Sequence, residues 1–190
     1  MFDFSVETVE NSFKESLKKL QLDYVDLIQV HDVEFSRSID QIVKFTLPAL
    51  KRLKEQGLCR YIGITGYNLG ILKKIVRQTG PGTIDTILSY SRCNLLNQDL
   101  LDDLDFYEQN AIGVINASPL ALGLLNNECT FPDWHLAPCI TQEATKKAAK
   151  LCLERSVDLG KSFIACINNS NTLMEATQES HLVFEEQKMS

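Results

Sequence analysis

Apolar residues at Val6, Val9, Phe13, Leu17 and Leu20 recur at spacings of three and four. That period predicts an amphipathic helix over residues 5–20. Ser5 fits its N-cap, although Thr8 stands where a capping box needs Glu or Gln. The run "DYVDLIQV" (23–30) then reads as a strand. A second helix is expected over 41–56, with Ile42, Phe45, Leu50 and Leu53 on its apolar side and Gly57 just past its end. Pro48 falls inside it and predicts a kink or a late start. The alternation continues with a strand in "CRYIGIT" (59–65) and a helix over 69–77, which is closed by the breaker cluster "TGPG". A strand in "TIDTILSY" (83–90) and a helix over 98–109 come next. The last strand is "AIGVINASPL" (111–120), and a final helix covers 141–155, rich in Ala, Lys and Leu.

Helices and strands that alternate in this way imply right-handed crossovers and a parallel sheet with helices outside it. Nearly continuous apolar strands agree with a sheet covered on both faces. Two α/β architectures fit, part of a (β/α)8 barrel or an open doubly wound sheet. No G-x-G-x-x-G follows any strand, which counts against a dinucleotide-binding Rossmann unit, and no P-loop is present. Four strands are evident where a closed barrel has eight.

Both parallel architectures bind ligands beyond the C-terminal ends of the strands. Those ends are polar throughout this chain. His31 and Asp32 follow the first strand; Thr65, Gly66, Tyr67 and Asn68 follow the second. Tyr90, Ser91, Arg92, Cys93 and Asn94 follow the third, and Asn116, Ala117, Ser118 and Pro119 the fourth. Singly each is ordinary turn chemistry. Together they outline a polar rim on one end of a sheet.

Composition narrows the classes. A formal charge of −6 and no basic stripe argue against a nucleic-acid partner. No apolar run approaches the roughly 20 residues that span a bilayer, so no membrane partner is expected. The start, Met1-Phe2-Asp3-Phe4, lacks the features of a signal peptide. The expected setting is therefore cytoplasmic, with the six cysteines (Cys59, Cys93, Cys129, Cys139, Cys152, Cys166) reduced and mostly in the core. None is spaced with a histidine or another cysteine as a zinc site requires, so no metal is expected.

The same strand ends carry a family likeness. "SFKESLKKLQLDYVDLIQVHDVE", "LPALKRLKEQGLCRYIGITGYN", "IDTILSYSRCNLLN" and "GVINASPLALGLL" occur in this order. They resemble the aldo-keto reductase superfamily, most of all its L-galactose dehydrogenase-like branch. The resemblance implies a TIM barrel that binds NAD(P)H without a Rossmann motif. It also implies hydride transfer to or from a small-molecule carbonyl or sugar. His31 matches the family's catalytic histidine, which hydrogen-bonds the carbonyl oxygen as charge develops there. Thr65 falls where the family places a Ser that holds the nicotinamide carboxamide. Gly66 falls where many members have the Asn that shares this task. Tyr90 aligns with a carboxamide-binding Gln, and Ala117 with a Tyr that stacks on the nicotinamide. Ser118, Pro119, Leu120 and Leu124 match the segment along the cofactor pyrophosphate. Asn169 and Ser170, with Asn171, match the phosphate-binding turn after the eighth strand.

Departures from the family pattern set a limit. The family's catalytic Asp, Tyr and Lys lie on its first three strands, and "MFDFS" resembles an internal stretch just downstream of the lysine strand. By resemblance the chain is N-terminally truncated, a partial barrel of about strands 4 to 7 plus a disturbed strand 8. "SVDLGKSFI" and "ACINNSNTLMEA" resemble segments that a further stretch separates in relatives. Residues 1–190 are then expected to form one incomplete domain, with a tail over 180–190 that resembles little. A parallel barrel lacking strands exposes sheet edges, which would require a partner. Two readings follow. One is an NAD(P)-dependent oxidoreductase chain too incomplete for catalysis alone. The other is an inactive, degenerate relative that binds a nucleotide or a partner.

Overall fold

The computed structural model describes residues 4–128 and 130–161. Helix α1 spans Val6–Leu20, and the Ser5 hydroxyl accepts the Thr8 N–H as expected of an N-cap. Phe13 and Leu17 are its buried residues. Strand β1 is Val25–Val30, β2 Cys59–Gly66, β3 Thr86–Tyr90 and β4 Gly113–Ala117. They form one sheet in the order β1-β2-β3-β4, and each pairing is parallel. This is the α/β architecture expected of part of a barrel.

The register defines two faces. Ile28 and Val30 pair with Ile62 and Ile64, and Ile64 pairs with Ile87. These side chains join Leu50, Leu53, Leu72 and Ile75 of the helices in one core. Because side chains alternate along a strand, Leu27, Gln29, Tyr61, Gly63, Thr86 and Leu88 point to the opposite face. Gly63 is required there, since a Cβ would meet the Gln29 Cγ at 3.0 Å and press on the Thr86 hydroxyl. Asp85 braces the sheet from below, and its carboxylate accepts the Ile62 N–H and the Lys54 ammonium, each at 2.7 Å.

Pro48 acts earlier than the pattern suggested. The second helical region runs as α2 (Ile39–Gln41), a π-helical turn (Ile42–Thr46) and α3 (Leu47–Glu55). Proline lacks an N–H and its ring crowds the carbonyl four residues back, so the wider turn just before it relieves the clash. The extra residue rotates the face. Phe45, expected on the apolar side, is 55% exposed, whereas Thr46 is buried and donates its hydroxyl to the Phe4 carbonyl at 2.8 Å. Gly57 ends α3 with φ +76°, and the Gly57 and Leu58 N–H groups reach the Lys54 and Leu53 carbonyls.

Other boundaries moved as well. The helix expected over 98–109 is a 3-10 segment (Asp99–Asp103) followed by α5 (Leu104–Gln109). Helix α4 is Leu69–Thr79, and α6 begins at Cys139 and ends at Glu154. Cys59 and Cys93 are buried as expected, but Cys139 is exposed and Cys152 half-buried, because α6 packs only one flank. Among the described residues no helix is long and apolar enough to cross a membrane. The expected eighth strand, with Asn169, Ser170 and the tail, lies outside the described residues.

Three buried acids sit in this fold. Burial pushes the Tyr107 phenol far upward, and the nearby Asp103 carboxylate adds to the push. Burial also raises the Cys59 and Cys93 thiols. An unfolded chain releases such protons first as pH rises, so the folded state loses stability with increasing pH. The loss begins near the reference thiol value of about 8.5 and deepens above about 10, where free tyrosine ionises. The Tyr107 hydroxyl has no hydrogen-bond partner among the described residues. Tyr107→Phe is therefore expected to be neutral or stabilising by up to about 1 kcal/mol near neutral pH. It is also expected to remove the part of the loss above pH 10. Urea midpoints for both proteins between pH 7 and 11 measure this directly.

Candidate active site

The four C-terminal strand ends are tied together in sequence. Just past β1, Asp32 adopts a left-handed conformation (φ +50°), and its N–H donates to the Thr65 hydroxyl at 2.9 Å. Asp tolerates that conformation better than most residues. Val33, almost fully buried, anchors the next turn. Glu34 then reaches across, and its Oε1 accepts the N–H groups of Tyr67 at 2.7 Å and Asn68 at 3.0 Å. These lie at the N-terminus of α4, where a carboxylate is favoured, and Asn68 caps the same helix by accepting the Ile71 N–H.

The belt continues around the rim. Arg92 Nε donates to the Tyr67 carbonyl at 2.8 Å, which joins the β3 end to the β2 end. Asn116 donates to the Cys93 carbonyl and the Ser91 N–H to the Ala117 carbonyl, both at 2.9 Å, which joins β3 to β4. Asn94 closes its own turn by accepting the Leu96 and Asn97 N–H groups. Much of the polar rim is thus a scaffold of side chains holding backbone.

Some side chains are left facing outward. His31 follows β1 directly with its side chain 77% exposed, and its Nδ1 stands 3.4 Å from an Asp32 carboxylate oxygen. Tyr90 ends β3, is 37% exposed and pairs in register with Ala117, a residue small enough to leave its ring uncovered. Thr65 is buried, and its oxygen accepts the Asp32 N–H, which leaves its O–H proton uncommitted among the described bonds. Gly66 carries no side chain, and a Cβ there would lie 2.8 Å from Glu34 Oε1 and 3.0 Å from its Cδ, and would press on Oε2. Glu34 therefore fills the space in which a side chain at position 66 would begin. Its Oε2 is buried without a partner among the described residues.

The segment after β4 packs differently. Ser118 has φ +56° and its hydroxyl accepts the Leu122 N–H at 3.0 Å; Ala121 and Leu122 are also left-handed. Three such non-glycine residues within five positions are a concentration of backbone strain, of about 1–3 kcal/mol each. Leu124 is buried with Ala121, Leu125, Ala149 and Leu159 in a second small core, and Leu120 packs against it. Pro119 is half-buried. Leu120 and Leu124 thus anchor the segment on α6. His135 was not singled out by spacing, yet it clamps this turn. Its Nδ1 accepts the Ala137 N–H at 3.1 Å, which leaves Nε2–H to donate to the Leu122 carbonyl at 3.3 Å.

A family model described as "Aldo/keto reductase family" matches residues 1–180. The chain is 46% identical over 160 residues to an L-galactose dehydrogenase of Arabidopsis thaliana, covering 84% of this chain and 50% of that protein. It is 33% identical over 165 residues to a D-arabinose 1-dehydrogenase of Saccharomyces cerevisiae, covering 83% and 48%. The chain thus spans about half the length of these curated relatives. Among solved structures, the holo form of an aldo-keto reductase from Bacillus halodurans matches with TM-score 0.57 and 26% identity, over 70% of this chain and 42% of that one. A glycerol dehydrogenase from Gluconobacter oxydans matches with TM-score 0.62 over 84% and 51%, and at 22% identity this likeness concerns the fold alone.

Proposed function

Given that the chain belongs to the aldo/keto reductase family, we propose that it provides the His31-bearing part of an NAD(P)H-dependent oxidoreductase acting on sugars or small aldehydes. The observation that carries this reading is His31. It stands exposed at a strand's C-terminal end, beside a rim held rigid by hydrogen bonds. The names of the two dehydrogenase relatives support a sugar as substrate.

The strand-end residues fit a nicotinamide ring. Thr65 keeps a proton to donate, Tyr90 presents an exposed ring, and Ala117 leaves room beside it. When bound, the dinucleotide supplies or accepts the hydride. Thr65 would orient its carboxamide, and Tyr90 would offer the aromatic surface that Ala117 does not. His31 donates a hydrogen bond to the carbonyl oxygen as negative charge grows there, with the Asp32 carboxylate steadying the ring. Ser118, Pro119, Leu120 and Leu124 hold the segment that runs along the pyrophosphate.

By the resemblance, we infer that the general acid is a tyrosine outside these 190 residues. A tyrosine needs a neighbouring cation to release its proton near neutral pH. Tyr107 is fully buried. Tyr24 lies on Arg60 and Tyr61 near Lys54, both toward the opposite ends of the strands. The chain alone is therefore expected not to turn over, and the sheet edges left unpaired among the described residues call for a partner.

Titration of the full chain with NADPH, followed by nicotinamide fluorescence, tests the cofactor assignment. Saturable binding is expected, weakened by Tyr90→Ala about 2- to 10-fold, the range of an aromatic contact. Binding indifferent to Tyr90→Ala, or no saturation at millimolar NADPH, would overturn it.

A further inference from the structure

We propose that His135 is a positioning residue that holds the Ser118–Leu124 segment in its strained form only while its imidazole is neutral, so that proton uptake releases the segment. This rests on the reading above, in which that segment runs along the cofactor.

Leu122 is the point that has to be held. Its backbone is left-handed (φ +58°), as are those of Ser118 and Ala121 in the same turn. Such conformations persist only where the surroundings impose them. The Leu122 side chain is 43% exposed and gives no anchor. Side chains hold both of its peptide groups instead. The Ser118 hydroxyl accepts its N–H at 3.0 Å, and His135 Nε2 meets its carbonyl at 3.3 Å. Ser118 belongs to the turn and moves with it. His135 lies 13 residues further on, so its bond ties the turn to the rest of the loop.

His135 is itself fixed. It is buried, and its N–H donates to the Pro132 carbonyl at 2.9 Å. Its ring contacts Phe131 and stacks on Trp134, at centroid distances of 5.6 and 6.2 Å. The clamp also sets the protonation state. The Ala137 N–H reaches Nδ1 at 3.1 Å. A backbone N–H only donates, so Nδ1 must present its lone pair and Nε2 must carry the proton. An imidazolium has N–H on both nitrogens, and its Nδ1–H would face the Ala137 N–H, donor against donor. Protonation therefore breaks the Ala137 contact and, as the ring turns away, the Leu122 bond. Of the charged side chains nearby, Lys146 lies 5.6 Å over the Phe131 ring and Asp133 is exposed two residues before His135. Among the described residues no carboxylate bonds the imidazole, so nothing there compensates the charged form. The clamp holds at higher pH and opens as pH falls through the interval in which imidazole changes charge, about pH 8 to 5.

Trp134 is the only tryptophan of the chain, and its emission reads the stacked ring directly, because imidazolium quenches indole more strongly than neutral imidazole does. The test compares the full chain with His135→Gln over that interval. Glutamine offers one acceptor and one donor and stays uncharged. Wild-type emission is expected to fall with pH. Amide exchange over residues 118–125, corrected for intrinsic rates, is expected to rise about fivefold, as for the loss of one hydrogen bond. Both should stay level in His135→Gln. His31 and His181 are present in both proteins, so the difference belongs to His135. Quenching that persists in His135→Gln, or wild-type exchange that ignores pH, would overturn the inference. The wild-type exchange profile needs no variant, so it decides even where His135→Gln fails to fold. NADPH affinity measured alongside keeps the two readings apart. A segment that opens while affinity falls supports both. A segment that opens with affinity unchanged upholds the clamp and removes the segment from the cofactor site.

Discussion

Gly66→Ala loosens the clasp at the strand ends, at an expected cost of about 1–2 kcal/mol. The new methyl lands on the Glu34 carboxylate, 2.8 Å from Oε1 and 3.0 Å from Cδ, so the carboxylate, at the end of a flexible side chain, must swing aside. With it go the two bonds to the Tyr67 and Asn68 N–H groups and a favourable charge at the N-terminus of α4. Hydrogen bonds to a charged group contribute about 1.5–3 kcal/mol each, and less where water reaches them, as it does here. A double-mutant cycle separates this mechanism from a simple backbone effect. In a Glu34→Ala background the clash has no partner, so Gly66→Ala should cost less than about 0.5 kcal/mol. Equal costs in both backgrounds would mean that Glu34 does not occupy the space at position 66.

Ile64→Ala is expected to cost about 2–5 kcal/mol, the range for deleting a large aliphatic side chain from a core. Ile64 is fully buried at the centre of β2, between Val30 of β1 and Ile87 of β3. A single domain has about 5–15 kcal/mol in total, so this loss brings the chain close to unfolding at ordinary temperature. Tyr61 lies on the opposite, open face and is half exposed; Tyr61→Ala should cost far less. Urea denaturation of both variants checks the assignment of faces, and comparable losses would refute it.

The order of elements was legible because apolar period distinguishes helix from strand over most of the chain. What failed was local. Phe45 follows the helical period, but the π turn before Pro48 swings it outward and brings Thr46 in. The period could not register that inserted residue. Over 98–109 the first turn tightened into a 3-10 segment, which the same apolar spacing also satisfies.

The candidate site was legible in outline only. The polar strand ends are where the sequence placed them, but most of those side chains hold backbone. Asn116, Asn94 and Ser118 are committed to carbonyls and N–H groups nearby. Glu34 went unnoticed because its partners lie 33 and 34 residues away. A signal did exist. A glycine inside a strand run marks close approach by a neighbour, and at Gly66 that neighbour is Glu34. His135 acts through its own loop and left no periodic trace.

His31 is proposed to orient a carbonyl for hydride transfer and to need a partner to do so. Steady-state NADPH oxidation with a small aldehyde tests it most directly, measured for the chain alone and for its complex with the part of the Arabidopsis L-galactose dehydrogenase outside the matched residues, each with His31 or with His31→Gln. The expected result is no turnover by the chain alone. Turnover by the complex should fall about 10²- to 10³-fold on His31→Gln, the cost of removing one hydrogen-bond donor to a developing oxyanion. Turnover by the chain alone that His31→Gln abolishes, or turnover by the complex that His31→Gln leaves intact, would contradict it.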